Sequence, residues 1–163
     1  MSTVHSTPLK RRHRYALPRL IYGDIFSDDR GSVRFVNSFH FSCIKRFYQI
    51  NNRSIKTIRA FHGHEFEEKF IYVANGSILL CAVYLDSLTA PSRKQRVFRY
   101  ILSADTPTIL HIPSQYANGF KTLKPKTTVL VFSTCSLAES KKDDYRYPYD
   151  YWGKTIWVVK NKI

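Results

Sequence analysis

An all-β sandwich or barrel is the fold class this sequence predicts, and two observations carry it. No long window repeats apolar residues at i, i+3, i+4 and i+7, whereas short runs rich in Val, Ile, Phe and Tyr recur between Gly, Pro, Asn and Asp. At 163 residues, 44% of them hydrophobic, the chain is long enough to bury a full core in one domain.

Taken in order, residues 1–18 are polar and basic, carry Pro8 and Pro18, and read as a flexible arm ahead of a single domain over 19–163. Leu20-Ile21-Tyr22 and Ile25-Phe26 are short strands around a Gly23-Asp24 turn. Asp28-Asp29-Arg30-Gly31-Ser32 is a hairpin turn that opens a strand at 33–36. Residues 44–50 alternate, placing Ile44, Arg46, Tyr48 and Ile50 on one face. Arg and Tyr among isoleucines suit a barrel whose interior is partly a polar pocket. Residues 55–61 lead into His62-Gly63-His64. The apolar runs 70–74 and 77–85, joined by Asn75-Gly76, predict a β-hairpin. Further strands fall at 95–102, 108–113 and 127–134, with 114–120 a short connection between them. Residues 139–152 are acidic, then aromatic, and hold the one short helix or flap.

Lys and Arg number 26 against 12 Asp and Glu, a formal charge of +14. Such an excess suits an anionic partner, either nucleic acid or a phosphate-bearing small molecule. The chain has no helix-turn-helix, zinc-finger or RNP pattern, which disfavours nucleic acid. The three cysteines, Cys43, Cys81 and Cys135, lack metal-ligand spacing and read as thiols in a reducing compartment. No apolar stretch is long enough for a membrane span or a secretory signal, so the cytoplasm is the expected compartment and no membrane partner is expected.

The chemistry concentrates between Arg59 and Lys69. On a strand, His62 and His64 leave the same face, with Arg59 before them and Glu67-Glu68-Lys69 after. Two uses suit that spacing. Two imidazoles and Glu68 approximate the metal motif of a cupin barrel, although Asn118 stands where its third histidine belongs. Alternatively the pair does acid–base work, the nearby cations favouring a neutral imidazole, and Glu67 or Glu68 orients His64.

Residues 25–152 resemble the cupin-fold enzymes that act on nucleotide-linked 4-keto-6-deoxy sugars. Asp28-Asp29-Arg30-Gly31 is similar to their Asp-x-Arg-Gly opening. Leu102-Ser103-Ala104, His111-Ile112-Pro113 and Ala117-Asn118-Gly119-Phe120 resemble the dTDP-4-dehydrorhamnose 3,5-epimerases. Residues 44–50, Arg59-x-x-His62-x-His64 and Asp143-Asp144-Tyr145-Arg146 resemble instead the WxcM-like dTDP-sugar 3,4-ketoisomerases.

The resemblance implies a cupin, that is a double-stranded β-helix or jelly-roll barrel, working as a homodimer without a cofactor. It implies that His62 removes a proton next to the sugar ketone, that His64 assists, and that Lys69 stabilises the resulting oxyanion. Arg59 would hold the nucleotide diphosphate, joined in substrate binding by Arg46, Arg30, Asn118 and Tyr116. Two departures stand out. Arg-Gly-x-His has become Arg59-Ala60-Phe61-His62, and Val131 occupies the position of the epimerases' acidic tyrosine. Tyr48, where the ketoisomerases keep a tyrosine, is then the candidate acid. A non-catalytic cupin that binds nucleotide sugars and a metal-dependent cupin stand as alternatives.

Overall fold

The structure, a computed structural model, describes residues 15–159. Most of the expected basic arm, residues 1–14, lies outside the described residues. Its last part does not: the Tyr15 ring stacks on Tyr84 at 3.8 Å, and Tyr100 donates to the Pro18 carbonyl.

The fold is a cupin jelly roll of two facing antiparallel sheets. The first contains β1 (Arg19–Tyr22), β9 (Thr108–Ile112), β6 (Lys69–Asn75), β11 (Thr128–Ser133) and β4 (Arg46–Asn51), in that spatial order. The second contains β12 (Tyr145–Arg146), β5 (Ile58–His64), β10 (Tyr116–Thr122), β7 (Ser77–Tyr84) and β8 (Val97–Ser103). A separate ribbon pairs β2 (Asp24–Asp28) with β3 (Gly31–Phe35), as the Asp-Arg-Gly turn requires. Among the described residues no helix is long and apolar enough to cross a membrane.

Alternation builds the core. Ile71, Val73, Leu110, Ile112, Val129 and Val131 from the first sheet meet Ile78, Leu80, Ala82, Leu102 and Phe120 from the second. Each Val, Leu, Ile or Phe side chain so buried contributes about 1.5–3 kcal/mol. β7 is buried on both faces, which explains its unbroken apolar run. Its outer face packs beneath Trp152 and Trp157 of the C-terminal segment. Ser136 and Glu139 form a capping box that starts α1 (Leu137–Lys142), the short helix expected in this region.

Two expectations are corrected. β6 and β7 do not form a hairpin: they belong to opposite sheets, and Asn75-Gly76 is the corner where the chain changes sheet. Gly76 has φ 76°, and a Cβ there would lie 2.2 Å from Thr127 Oγ1. Nor is 114–120 a connection. Tyr116–Thr122 is β10, flanked by β5 and β7 near the middle of its sheet. Its small outward residues Ala117 and Gly119 hid an alternation in which Tyr116, Asn118 and Phe120 point inward.

Candidate active site

A cavity of about 270 Å³ opens between the sheets, walled by Tyr48 and Ile50 of β4, Arg59 and His62 of β5, and Lys69 and Ile71 of β6. Asn118, Gly119 and Phe120 of β10 and Val131 of β11 complete it. On a regular strand Arg59 and His62, three apart, would face opposite ways. The register shows why they do not: Phe120 pairs with Arg59 and Asn118 with His62, so β5 carries one residue more than β10 between these pairs. That bulge turns both side chains into the cavity. Gly119 permits it, because a Cβ there would lie 2.3 Å from the Ala60 Cβ and 2.7 Å from the Arg59 carbonyl oxygen.

β12 pairs with the far edge of β5, Arg146 opposite His62. This brings Asp144 Oδ1 to 3.5 Å from His62 Nδ1, while Arg146 donates to the same carboxylate at 2.7 Å. Burial, then the Arg146 and Lys69 charges, push His62 down to about 4, with Asp144 pulling the other way. The imidazole is therefore uncharged at neutral pH, the state a base needs. Burial pushes the Tyr48 phenol up to about 12, so it keeps its proton.

His64 shares the inward side of β5 but does not line the cavity. It is 3% exposed; its Nδ1 donates to the Asp143 carbonyl and lies 3.1 Å from Glu67 Oε2, and its Nε2 lies 2.6 Å from Lys69 Nζ. The turn that carries Glu67 is fixed from outside. The Asp143 carboxylate accepts from the amides of Glu65, Phe66 and Glu67 at 2.6, 2.8 and 2.9 Å.

The metal constellation does not assemble. Glu68 turns to the outer face, where its Oε2 lies 2.5 Å from His111 Nε2, and His64 Nε2 faces the Lys69 amine. Among the described residues no three His, Cys, Asp or Glu side chains gather as ligands.

Of the expected substrate-binding residues, Arg59 and Asn118 line the cavity and three do not. Arg46 donates to the Cys135 carbonyl, Glu67 and Ser140, with its guanidinium 4.8 Å from the centre of the Tyr48 ring, so it braces Tyr48 from behind. Arg30 lies on the β2–β3 ribbon, bound to Asp28 at 2.5 Å. Tyr116 is buried in the core, 1% exposed. Sequence reasoning gave Asp144 and Arg146 no place beside His62. The Asp143–Arg146 motif was visible, but nothing local says that it pairs with β5.

The family described as dTDP-4-dehydrorhamnose 3,5-epimerase matches residues 19–150. The spore coat polysaccharide biosynthesis protein SpsL of Bacillus subtilis is 29% identical over 129 residues, 76% of this chain and 83% of that protein. Two solved structures share the fold. The dTDP-4-dehydrorhamnose 3,5-epimerase of Bacillus anthracis, with TDP and PPi bound, has TM-score 0.66 and 24% identity over 82% of this chain and 79% of its own. A double mutant of the QdtA 3,4-ketoisomerase of Thermoanaerobacterium thermosaccharolyticum, in complex with TDP, has TM-score 0.61 and 19% identity, covering 85% and 93%.

Proposed function

The chain belongs to the dTDP-4-dehydrorhamnose 3,5-epimerase family, a family of isomerases, and from that premise we propose that it epimerises a dTDP-linked 4-keto-6-deoxyhexose. The observation that carries this reading is one cavity walled by an uncharged imidazole, a protonated phenol and a lysine amine: His62, Tyr48 and Lys69. The ketone acidifies the neighbouring C–H bond. His62, with Asp144 on its Nδ1 side, presents Nε2 to that proton, and Asp144 steadies the imidazolium that forms. The C–H electron pair moves to the ketone oxygen, where Lys69 stabilises the enolate. His62 stands on the second sheet and Tyr48 on the first, so base and acid approach from opposite walls. Return of a proton from Tyr48 to the face opposite the one deprotonated inverts the carbon. Arg59, at the rim and tied to Asn52 at 2.7 Å, suits the nucleotide diphosphate.

Such a reaction belongs to deoxysugar biosynthesis for surface polysaccharide, the role that the name of the Bacillus subtilis relative suggests. We also infer a homodimer. Phe26 and Val33, 56% and 61% exposed on the β2–β3 ribbon, offer apolar surface for it.

One observation favours a second reading, 3,4-ketoisomerisation: the phenol lies on β4 and not at Val131, as in the ketoisomerases the sequence resembles. Incubation with dTDP-4-keto-6-deoxyglucose in heavy water, followed by NMR, separates the outcomes. Deuterium at an inverted carbon supports epimerisation, and migration of the ketone to carbon 3 supports ketoisomerisation. Absence of both, with TDP binding that is lost in Arg59→Ala, would leave a non-catalytic nucleotide-sugar binder.

A further inference from the structure

Behind the cavity wall lies a buried polar cluster that the scheme above leaves unused. Glu67, 2% exposed, sits in the turn between β5 and β6. Ser133 donates to its Oε1 at 2.6 Å and Ser140 to its Oε2 at 2.7 Å, and Arg46 reaches Oε1 at 3.2 Å. His64 Nδ1 faces two acceptors, Glu67 Oε2 and the Asp143 carbonyl. The ring proton therefore resides on Nδ1, and the Nε2 lone pair accepts from Lys69 Nζ at 2.6 Å. A run of close polar contacts leads from a buried carboxylate, past one imidazole, to the Lys69 amine at the cavity wall.

We propose that Glu67 is a positioning residue for Lys69: acting through His64, it keeps the lysine charged and its remaining N–H bonds turned into the cavity. A buried ammonium without a countercharge gives up its proton. The groups that face Lys69 are Glu67 from the turn, Arg46 and Tyr48 from β4, His62 and His64 from β5, and Asp143 and Asp144 from the segment after α1. Burial draws Lys69 below its ordinary value, and Glu67 is the largest influence opposing it. This inference rests on the reading of Lys69 as the partner of the enolate, but the charge of the lysine can be measured without substrate.

The test follows the ε-methylene resonance of Lys69 through a pH titration of the full chain labelled with 13C-lysine, assigned with Lys69→Met. In Glu67→Gln, which keeps the shape of the side chain, the Lys69 midpoint falls by at least about one pH unit, a tenfold change in its proton affinity. The alkaline limb of kcat moves down with it, while KM stays within about threefold. A purely structural role predicts the opposite sign, since a loosened site admits water and raises the midpoint. Glu67→Asp, which keeps the charge but draws it back from His64, serves if Glu67→Gln fails to fold: its Lys69 midpoint also falls, by a smaller amount. An unchanged or raised midpoint in Glu67→Gln, or in Glu67→Asp where that variant is the one measured, overturns the proposal. Correct shifts in a protein that turns over no keto sugar would sustain the coupling and reject the epimerase reading instead.

Discussion

Tyr48 and Val131 are direct cross-strand partners on the β4–β11 ladder, and both line the cavity. The epimerases this chain resembles carry their acidic tyrosine at the position of Val131. Here Val131 carries no hydroxyl, and the Tyr48 phenol on the adjacent strand faces the same cavity.

Tyr48→Phe is expected to lower kcat by roughly a hundredfold or more with little change in KM, the size of a general-acid contribution. Placing the phenol back, with Tyr48→Val and Val131→Tyr together, should recover at least about tenfold of that loss. Steady-state kinetics on the three proteins checks it. A Tyr48→Phe enzyme with native turnover would remove Tyr48 from the chemistry.

His62→Asn should cost about a hundredfold or more in kcat, and Asp144→Asn about tenfold, because the aspartate acts only through the ring. The acid limb of kcat/KM should lie near the His62 value of about 4, below the ordinary histidine value of about 6.5. The sign is fixed by which state works: the neutral ring is active, so activity persists as pH falls until the ring protonates. Asp144 raises the His62 value, so Asp144→Asn should move the limb lower still. An acid limb near 6.5 would assign the base elsewhere.

Gly119→Ala should destabilise the fold by about 1–3 kcal/mol, as overpacking against β5 does. The Cβ would press on Ala60 and on the Arg59 carbonyl, the bulge that aims Arg59 and His62. Loss of TDP affinity and of turnover should therefore exceed what the fall in Tm alone explains. Thermal unfolding beside binding measurements tests this, and a variant with native Tm and affinity would show that the bulge adjusts freely.

The Tyr116 hydroxyl is buried and finds no hydrogen-bond partner among the described residues. Tyr116→Phe should therefore hold or raise stability, by up to about 1–3 kcal/mol, the cost of a buried unsatisfied polar group. TDP affinity should stay unchanged. A drop in affinity would return Tyr116 to the binding site.

Much of this was legible along the chain. Alternation placed Arg46, Tyr48 and Ile50 on one face of β4, and the His-x-His spacing placed two rings on one side of β5, as found. What escaped depends on register between distant strands. No local pattern tells that Asn75-Gly76 turns between sheets rather than within one. Nor does any mark the extra residue on β5 opposite Gly119, or the carboxylate that β12 delivers to His62. Arg46 and Tyr116 carry groups suited to a ligand, and packing spends them on the brace behind Tyr48 and on the core.

The attachment of Asp143 and Asp144 to β5 also sets an order in time. The chain is synthesised from its N-terminus, so His62 and Lys69 leave the ribosome long before the residues that fix their turn and their carboxylate. A nascent chain halted before Asp143 already holds β1 to β11, yet the amides of Glu65, Phe66 and Glu67 lack their acceptor and His62 lacks its neighbouring carboxylate. Full competence thus waits on residues made after all but one of the strands, and chains arrested before Asp143 are expected to turn over more slowly than the full chain.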